Sequence, residues 1–443
     1  LRSRTESPAL DHGLLSPVTT GFDEAVTDAA IRDALVGTEA ALARAWAKVG
    51  AAPTELADAI SNAFARRDDI ARAVDLDALA RAAVAGGNPV IPLVGMLRSA
   101  VPAEAREWVH RGATSQDILD SALMVVAQQA AGETVAVLRD AETAVAALAE
   151  AHRNDVGAAR SLTQHGVPTT FGLRAANWLR GMKRAAGRLE QLAADLPAQL
   201  GGAGGTLASF VQIGGSAGAA RLPAAFAAEL GLAVPHAPWH TTRWPVTELG
   251  DALVQVLDAL GVIAADVATL SRTEIGEAHE HAAGGSSAMP QKQNPTAAVL
   301  IRSAAVRAPH LAATLHTASA LAVDERPDGS WHAEWPALRE LSRLALGASG
   351  TARRLLEGLR VDSDAIARNL RMTGSLIVAE RVSIALGEEA ATALIEAARA
   401  GTDVTAALAP YAASAGLDVH ELLDPAEYLG FASSLIDSAL EEE

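Results

Sequence analysis

A chain of 443 residues is too long for one simple core, so two or three domains are expected. Half of its residues are hydrophobic while only 3% are aromatic, and the excess of alanine, leucine and valine favours helices over sheets. The net charge of -17 argues against nucleic acid as a partner, and the absence of cysteine excludes disulfides, thiolate metal sites and a cysteine nucleophile. A few cations inside a cleft can still serve a small anionic substrate, whatever the net charge.

In chain order, Gly86-Gly-Asn-Pro-Val-Ile-Pro92 is the first break and is expected to end an N-terminal helical region. The run His110-Arg-Gly-Ala-Thr-Ser-Gln-Asp117 follows, rich in hydroxyl and amide groups, and a helix is expected directly after it. Thr114 or Ser115 can be read as an N-cap, or as part of an anion site at a helix N-terminus. Apolar spacing of three and four at Leu138, Ala141, Val145 and Leu148 predicts a long helix. Ser161-Leu-Thr-Gln-His-Gly-Val-Pro-Thr-Thr-Phe-Gly172 interrupts it, with Pro168 and two glycines against helix. Its Gln164 and His165 read equally as surface residues.

Leu179, Met182, Leu189, Leu192 and Leu196 predict the next helix. Gly201-Gly-Ala-Gly-Gly-Thr206 has only a superficial likeness to a dinucleotide fingerprint, because it lacks the last glycine and follows a helix. Leu249, Leu253, Val256, Leu260, Ile263, Val267 and Leu270 alternate spacings of four and three, a heptad seam. His279-Glu-His281 is not HExxH and is expected to be a solvated helix end rather than a metal site. Gly284-Gly-Ser-Ser-Ala-Met-Pro-Gln-Lys-Gln-Asn-Pro295 then sits between two long helices, the second running from Thr296 to about Ala322 with a kink at Pro309. It lacks the order of a phosphate-binding loop, yet it places serine, lysine and asparagine together, a set suited to a hydroxyl base with partners for developing negative charge.

The expected organisation is all-α in three parts: an N-terminal helical domain (1–112), a central long-helix bundle (113–350) and a C-terminal helical domain (351–443). No apolar run reads as long enough for a bilayer-crossing helix, and Leu1-Arg-Ser-Arg-Thr-Glu lacks the apolar stretch of a secretory leader. A cytoplasmic enzyme with no membrane partner, no metal and no cofactor is the expectation.

From Gly285 to Pro295 the third loop matches GSSxMPxKxNP at all eight fixed positions, and in this the chain resembles the fumarase/aspartase superfamily. The first and second loops are similar to its other two signature regions, in the same order. Within the superfamily the chain resembles the 3-carboxy-cis,cis-muconate cycloisomerases. Gly87–Leu93, the first two loops, Glu325-Arg-Pro-Asp-Gly-Ser-Trp-His-Ala-Glu-Trp335 and Leu422–Gly430 carry that likeness. Adenylosuccinate lyases share the architecture without the Ser-Trp-His-Ala-Glu-Trp stretch, and a C–N lyase of that kind is the alternative.

The resemblance implies a three-domain fold with a central bundle and a homotetramer whose sites are shared among subunits. It implies interconversion of 3-carboxy-cis,cis-muconate and 4-carboxymuconolactone, a step in protocatechuate degradation. By motif match Ser286 is the base and Lys292 the catalytic cation that stabilises an aci-carboxylate. His110, Thr114, Ser115, Gln164, Asn294, Arg326 and Ser330 are the expected contacts to a small polycarboxylate. One departure bears on chemistry. Amine-eliminating members usually carry Thr-His-Leu-Gln in the second loop, where this chain has Ser161-Leu162-Thr163-Gln164. Amines need a proton to leave and carboxylates do not, so the change favours lactone chemistry, with His165 the one residue nearby that could substitute.

Overall fold

A computed structural model describes residues 13–281, 284, 285, 289 and 292–442. They are overwhelmingly helical, as composition and periodicity predict. Five helices of 24 to 37 residues dominate: Ser115–Ala151, Phe171–Ala194, Trp244–Leu270, Thr296–Ala320 and Gly329–Glu357. The heptad positions from Leu249 to Leu270 are all at most 2% exposed, so the seam is a core stripe. Each such leucine or valine contributes about 1.5–3 kcal/mol by leaving water. Leu148 is the one predicted stripe residue in its helix that stays half-buried.

Two compact units divide the chain. One takes the described residues of Leu1–Ala136, Ala185–Asp258 and Ser303–Gly350, the other those of Val137–Arg184, Ala259–Arg302 and Thr351–Glu443. The divisions between the units, after Ala136, Arg184, Asp258, Arg302 and Gly350, all fall inside long helices, which periodicity cannot reveal.

Three expectations change. Gly86–Pro92 does not end the helical region: Leu76–Gly86 stops at left-handed Gly87, and Asn88 accepts from Val90 N–H to open the next helix, Val90–Ala100. The second loop is a hairpin, Val156–Ser161 against Gln164–Thr170, turned by Leu162 and Thr163 at positive φ. By length and composition alone, Ser115–Ala151 and Trp244–Leu270 are long and apolar enough to cross a membrane, contrary to the sequence reading. Leucine, valine and alanine sustain that average.

In the first unit, Arg243 is buried between two carboxylates. It donates to Asp120 at 2.7 Å and to Glu334 at 2.6 Å, while Trp331 Nε1 donates to Asp120 at 2.9 Å. One cation serves two buried carboxylates, and burial holds the Glu334 carboxyl above the ordinary range against the pull of Arg243. Trp331 and Glu334 belong to the Ser-Trp-His-Ala-Glu-Trp stretch, which gives that stretch a structural task. Removing one partner of such a network leaves uncompensated charge behind. Arg243→Met should lower unfolding free energy by about 3–5 kcal/mol in denaturant titration at neutral pH. A carboxyl whose folded pKa is raised favours the folded state at low pH and loses that advantage as pH rises through the raised value. The deficit should therefore shrink on acidification; a change under about 1 kcal/mol at neutral pH would show that the triad contributes little.

Candidate active site

The expected site residues fall into two groups, one in each unit. In the first unit, His110, Thr114, Ser115 and Arg326 lie at the start of the Ser115–Ala151 helix, and Ser330 lies apart from them. Thr114 precedes the helix, and its carbonyl accepts from Asp117 N–H at 3.0 Å. The Asp117 carboxylate reaches back to Thr114 N–H at 3.0 Å, the reciprocal half of a capping box. The Thr114 hydroxyl is not spent on the helix. It accepts a hydrogen bond from Arg326 Nη2, which also donates to the Ala203 carbonyl at 3.3 Å. Among the described residues Arg326 has no carboxylate partner, and its buried Nε has no partner at all. A guanidinium held by neutral acceptors keeps donors for a bound carboxylate. Ser115 opens the helix and is half-buried, whereas Ser330, in the first turn of Gly329–Glu357, lines an open groove of about 490 Å3 with His310 and Asp328.

His110 sits at φ 61, a left-handed conformation a histidine adopts at a cost. Its Nδ1 lies 2.7 Å from Glu39 Oε1, and Glu39 is fully buried. Burial alone would lower the imidazole pKa; the Glu39 hydrogen bond and the charges of Glu39 and Asp117 outweigh it, and the net shift is upward. The imidazolium thus persists to higher pH than an ordinary histidine's, as a carboxylate contact requires.

In the second unit, Gln164 lies at the hairpin's second strand opposite Ser161, exposed. His165 Nδ1 is 2.7 Å from Thr373 Oγ1, which ties the hairpin to the Ser363–Thr373 helix. The third loop is anchored at its base. Gly284 and Gly285 pair with Asn294 and Gln293, and buried Glu280 accepts from Ala297 N–H and Ala298 N–H at 3.0 and 2.9 Å. That carboxylate caps the Thr296–Ala320 helix. Lys292 is exposed, with its backbone N–H on Met289 O at 3.0 Å, and Asn294 is half-buried. Ser286 and Ser287 lie outside the described residues.

Residues 279–281 are no solvated helix end. Ala278–Glu280 is a short strand paired with Leu359–Val361. His279 bonds Gly276 O at 3.1 Å, Glu280 caps the helix, and His281 Nδ1 accepts from Arg360 Nη2 at 2.8 Å. The three side chains serve three separate partners rather than one metal.

Sequence reasoning missed Glu39, Asp117 and Glu280. Asp117 had a signal, since it stands three residues after Thr114, the spacing of a capping box. Glu39 and Glu280 had none, because their partners are distant or backbone.

A family model described as lyase matches residues 20–309. The chain belongs to this family, the lyases of the fumarase/aspartase superfamily. It is 47% identical to a nitrosuccinate lyase of Streptomyces davaonensis over 97% of this chain and 95% of that protein. It is 41% identical to a 3-carboxy-cis,cis-muconate cycloisomerase of Pseudomonas aeruginosa over 91% of this chain and 90% of that one. The solved 3-carboxy-cis,cis-muconate lactonizing enzyme of Pseudomonas putida superposes with a TM-score of 0.86 at 34% identity, covering 97% of this chain and 98% of that one. The all-α, fumarase/aspartase-like fold is shared with these enzymes.

Glu39→Gln removes the group that holds the His110 imidazolium, leaving burial to push its pKa down. Polycarboxylate affinity in the variant should fall at lower pH than in the parent, read from a Kd–pH profile. A folded-state pKa raised above the unfolded one adds stability that is complete below about 6.5 and is lost as pH rises through the raised value, so the variant should also lose that acid-side stability. Coincident profiles for the two proteins would remove His110 from binding.

Proposed function

We propose that this enzyme is a cycloisomerase that interconverts 3-carboxy-cis,cis-muconate and 4-carboxymuconolactone. The observation that carries the reading is Leu162. At the place where amine-eliminating relatives carry a proton-donating histidine, a hydrocarbon side chain stands exposed at a hairpin tip. A leaving group that is an anion stable without a proton suits this site best, and a carboxylate is one.

In the lactone-opening direction, Ser286 in its deprotonated alkoxide form takes the proton from the carbon next to a substrate carboxylate and becomes the hydroxyl, while the C–O bond to the lactone carboxylate breaks. In the forward direction that carboxylate attacks the alkene and the proton returns. The intermediate carries a second negative charge on one carboxyl group, so fixed donors decide the barrier; losing one costs about 3–4 kcal/mol. Lys292 and Asn294, at the C-terminal side of the anchored loop, are assigned this task. His110, Thr114, Ser115, Gln164, Arg326 and Ser330 hold the remaining carboxylates. The assembly proposed is the superfamily's homotetramer with shared sites.

A second reading has its own support. Nitrite is also a weakly basic anion that departs unprotonated, and identity to the nitrosuccinate lyase is 47%. Elimination of nitrite from nitrosuccinate needs the same base, the same aci-carboxylate stabilisation and no general acid.

Purified enzyme should consume carboxymuconate with loss of diene absorbance and turn over adenylosuccinate far more slowly. Faster release of nitrite from nitrosuccinate would instead establish the second reading, and efficient cleavage of adenylosuccinate would refute both. On whichever substrate is preferred, Ser286→Ala should assemble normally and lose about 10²–10⁴-fold in kcat. Lys292→Met should lower kcat rather than raise KM, because its contact strengthens as charge develops.

A further inference from the structure

The run Gly201–Thr206 binds no dinucleotide on sequence grounds, yet its glycines are required. A Cβ on Gly201 would stand 2.8 Å from His240 Cε1 and 2.8 Å from Pro238 Cβ, and Gly202 has φ +72. The reason is one side chain. Asp117 is fully buried, no Lys or Arg bonds to it among the described residues, and its two oxygens accept four hydrogen bonds. Gly201 N–H and His240 Nε2 reach Oδ1, both at 2.8 Å. Gly202 N–H reaches Oδ2 at 2.9 Å and Thr114 N–H reaches it at 3.0 Å. A carboxylate accepts only, so the His240 proton lies on Nε2.

We propose that Asp117 is the positioning residue for carboxylate recognition, holding Arg326 through two routes that converge on the same nitrogen. One route runs from Asp117 to Thr114 N–H, and the Thr114 hydroxyl accepts from Arg326 Nη2. The other runs from Asp117 to Gly202 N–H, and the carbonyl of the next residue, Ala203, accepts from Nη2 at 3.3 Å. Loop 110–117 and loop 201–206 are separate in sequence, and a single carboxylate fixes both. Nη2 is thereby pinned, Nε is buried, and Nη1, without a hydrogen-bond partner among the described residues, is the nitrogen left to meet a carboxylate oxygen. Neutral acceptors for Arg326 and a distant anion for the loops give orientation without neutralising the cation that must meet substrate. This inference rests on the reading of Arg326 as a carboxylate contact.

Asp117→Asn keeps the shape but replaces acceptor positions with an amide N–H₂ facing N–H donors. Binding of propane-1,2,3-tricarboxylate, measured by calorimetry, tests the idea in the parent, Asp117→Asn, Arg326→Lys and the double variant. Asp117→Asn should weaken binding about 10–100-fold, raise KM more than it lowers kcat, and add little in the Arg326→Lys background. Should Asp117→Asn not fold, Gly202→Ala disturbs the second route, and through Ser209 Oγ the Gly112 carbonyl as well, and should weaken binding by severalfold with the same non-additivity. Parent-like affinity in the folded variant, or a loss that adds in full to that of Arg326→Lys, overturns the positioning role. Unchanged binding in Arg326→Lys overturns the carboxylate-contact reading and this inference together, whereas the first two results leave that reading standing.

Discussion

Two buried carboxylates three residues apart determine how the Ser115–Ala151 helix begins, and the first unit depends on them. Asp117 faces four N–H donors, and Asp120 faces Arg243 and the Trp331 indole. A buried anion must have its lone pairs filled, or the folded state bears the desolvation cost. The partners supplied come from 201–202, 239–243 and 331–334, so satisfying the helix start also gathers segments far apart in the chain. Asp117 does it with neutral donors and orders loops; Asp120 does it with a cation and joins helices. The same chemical demand yields a site in one case and a scaffold in the other.

What the sequence made legible follows from the range of the underlying interaction. Heptad spacing repeats within one helix, so the stripe Leu249–Leu270 could be read directly and is buried throughout. The signature loops were legible as a resemblance, and the family match bears it out. The Leu162–Thr163 turn was not legible, because two positive-φ residues without glycine or asparagine contradict local preference and are held only by the strands on either side. Glu280 was misread for a similar reason. A polar triplet His-Glu-His looks solvated until the pairing of Gly284 and Gly285 with Asn294 and Gln293 brings a helix N-terminus over its carboxylate.

Backbone strain collects on the same segments. The described non-glycine residues at positive φ are His110, Leu162, Thr163, Leu207 and Asp324. Each costs of order 1–2 kcal/mol and persists only where neighbours over-determine it. Glu39 does so for His110. Leu207 closes the loop held by Asp117, its N–H bonding Gly201 O at 2.9 Å. Asp324 turns the chain two residues before Arg326. Four of these five residues therefore lie within the loops that present or orient expected carboxylate contacts, and the fifth, Leu207, ends a loop that holds one in place.

Under the proposed reading, a hydrocarbon in place of an acid at the hairpin tip narrows the chemistry as strongly as any retained residue. A general acid lowers the barrier for strongly basic leaving groups and adds nothing for an anion already stable in water. Once the leaving group needs no proton, the demand on the protein shifts to the developing dianion and to the orientation of the carboxylates around it. Under that reading, the constrained elements of the chain are the ones the chemistry needs. Arg326 is pinned through one nitrogen, the His110 pKa is raised by a buried partner, and the third loop is clamped at its base by Glu280. Carboxylate departure and nitrite departure impose the same demands on these elements, which explains how relatives named for either reaction share one scaffold. Discrimination between them then rests on how many substrate carboxylates the fixed donors must orient.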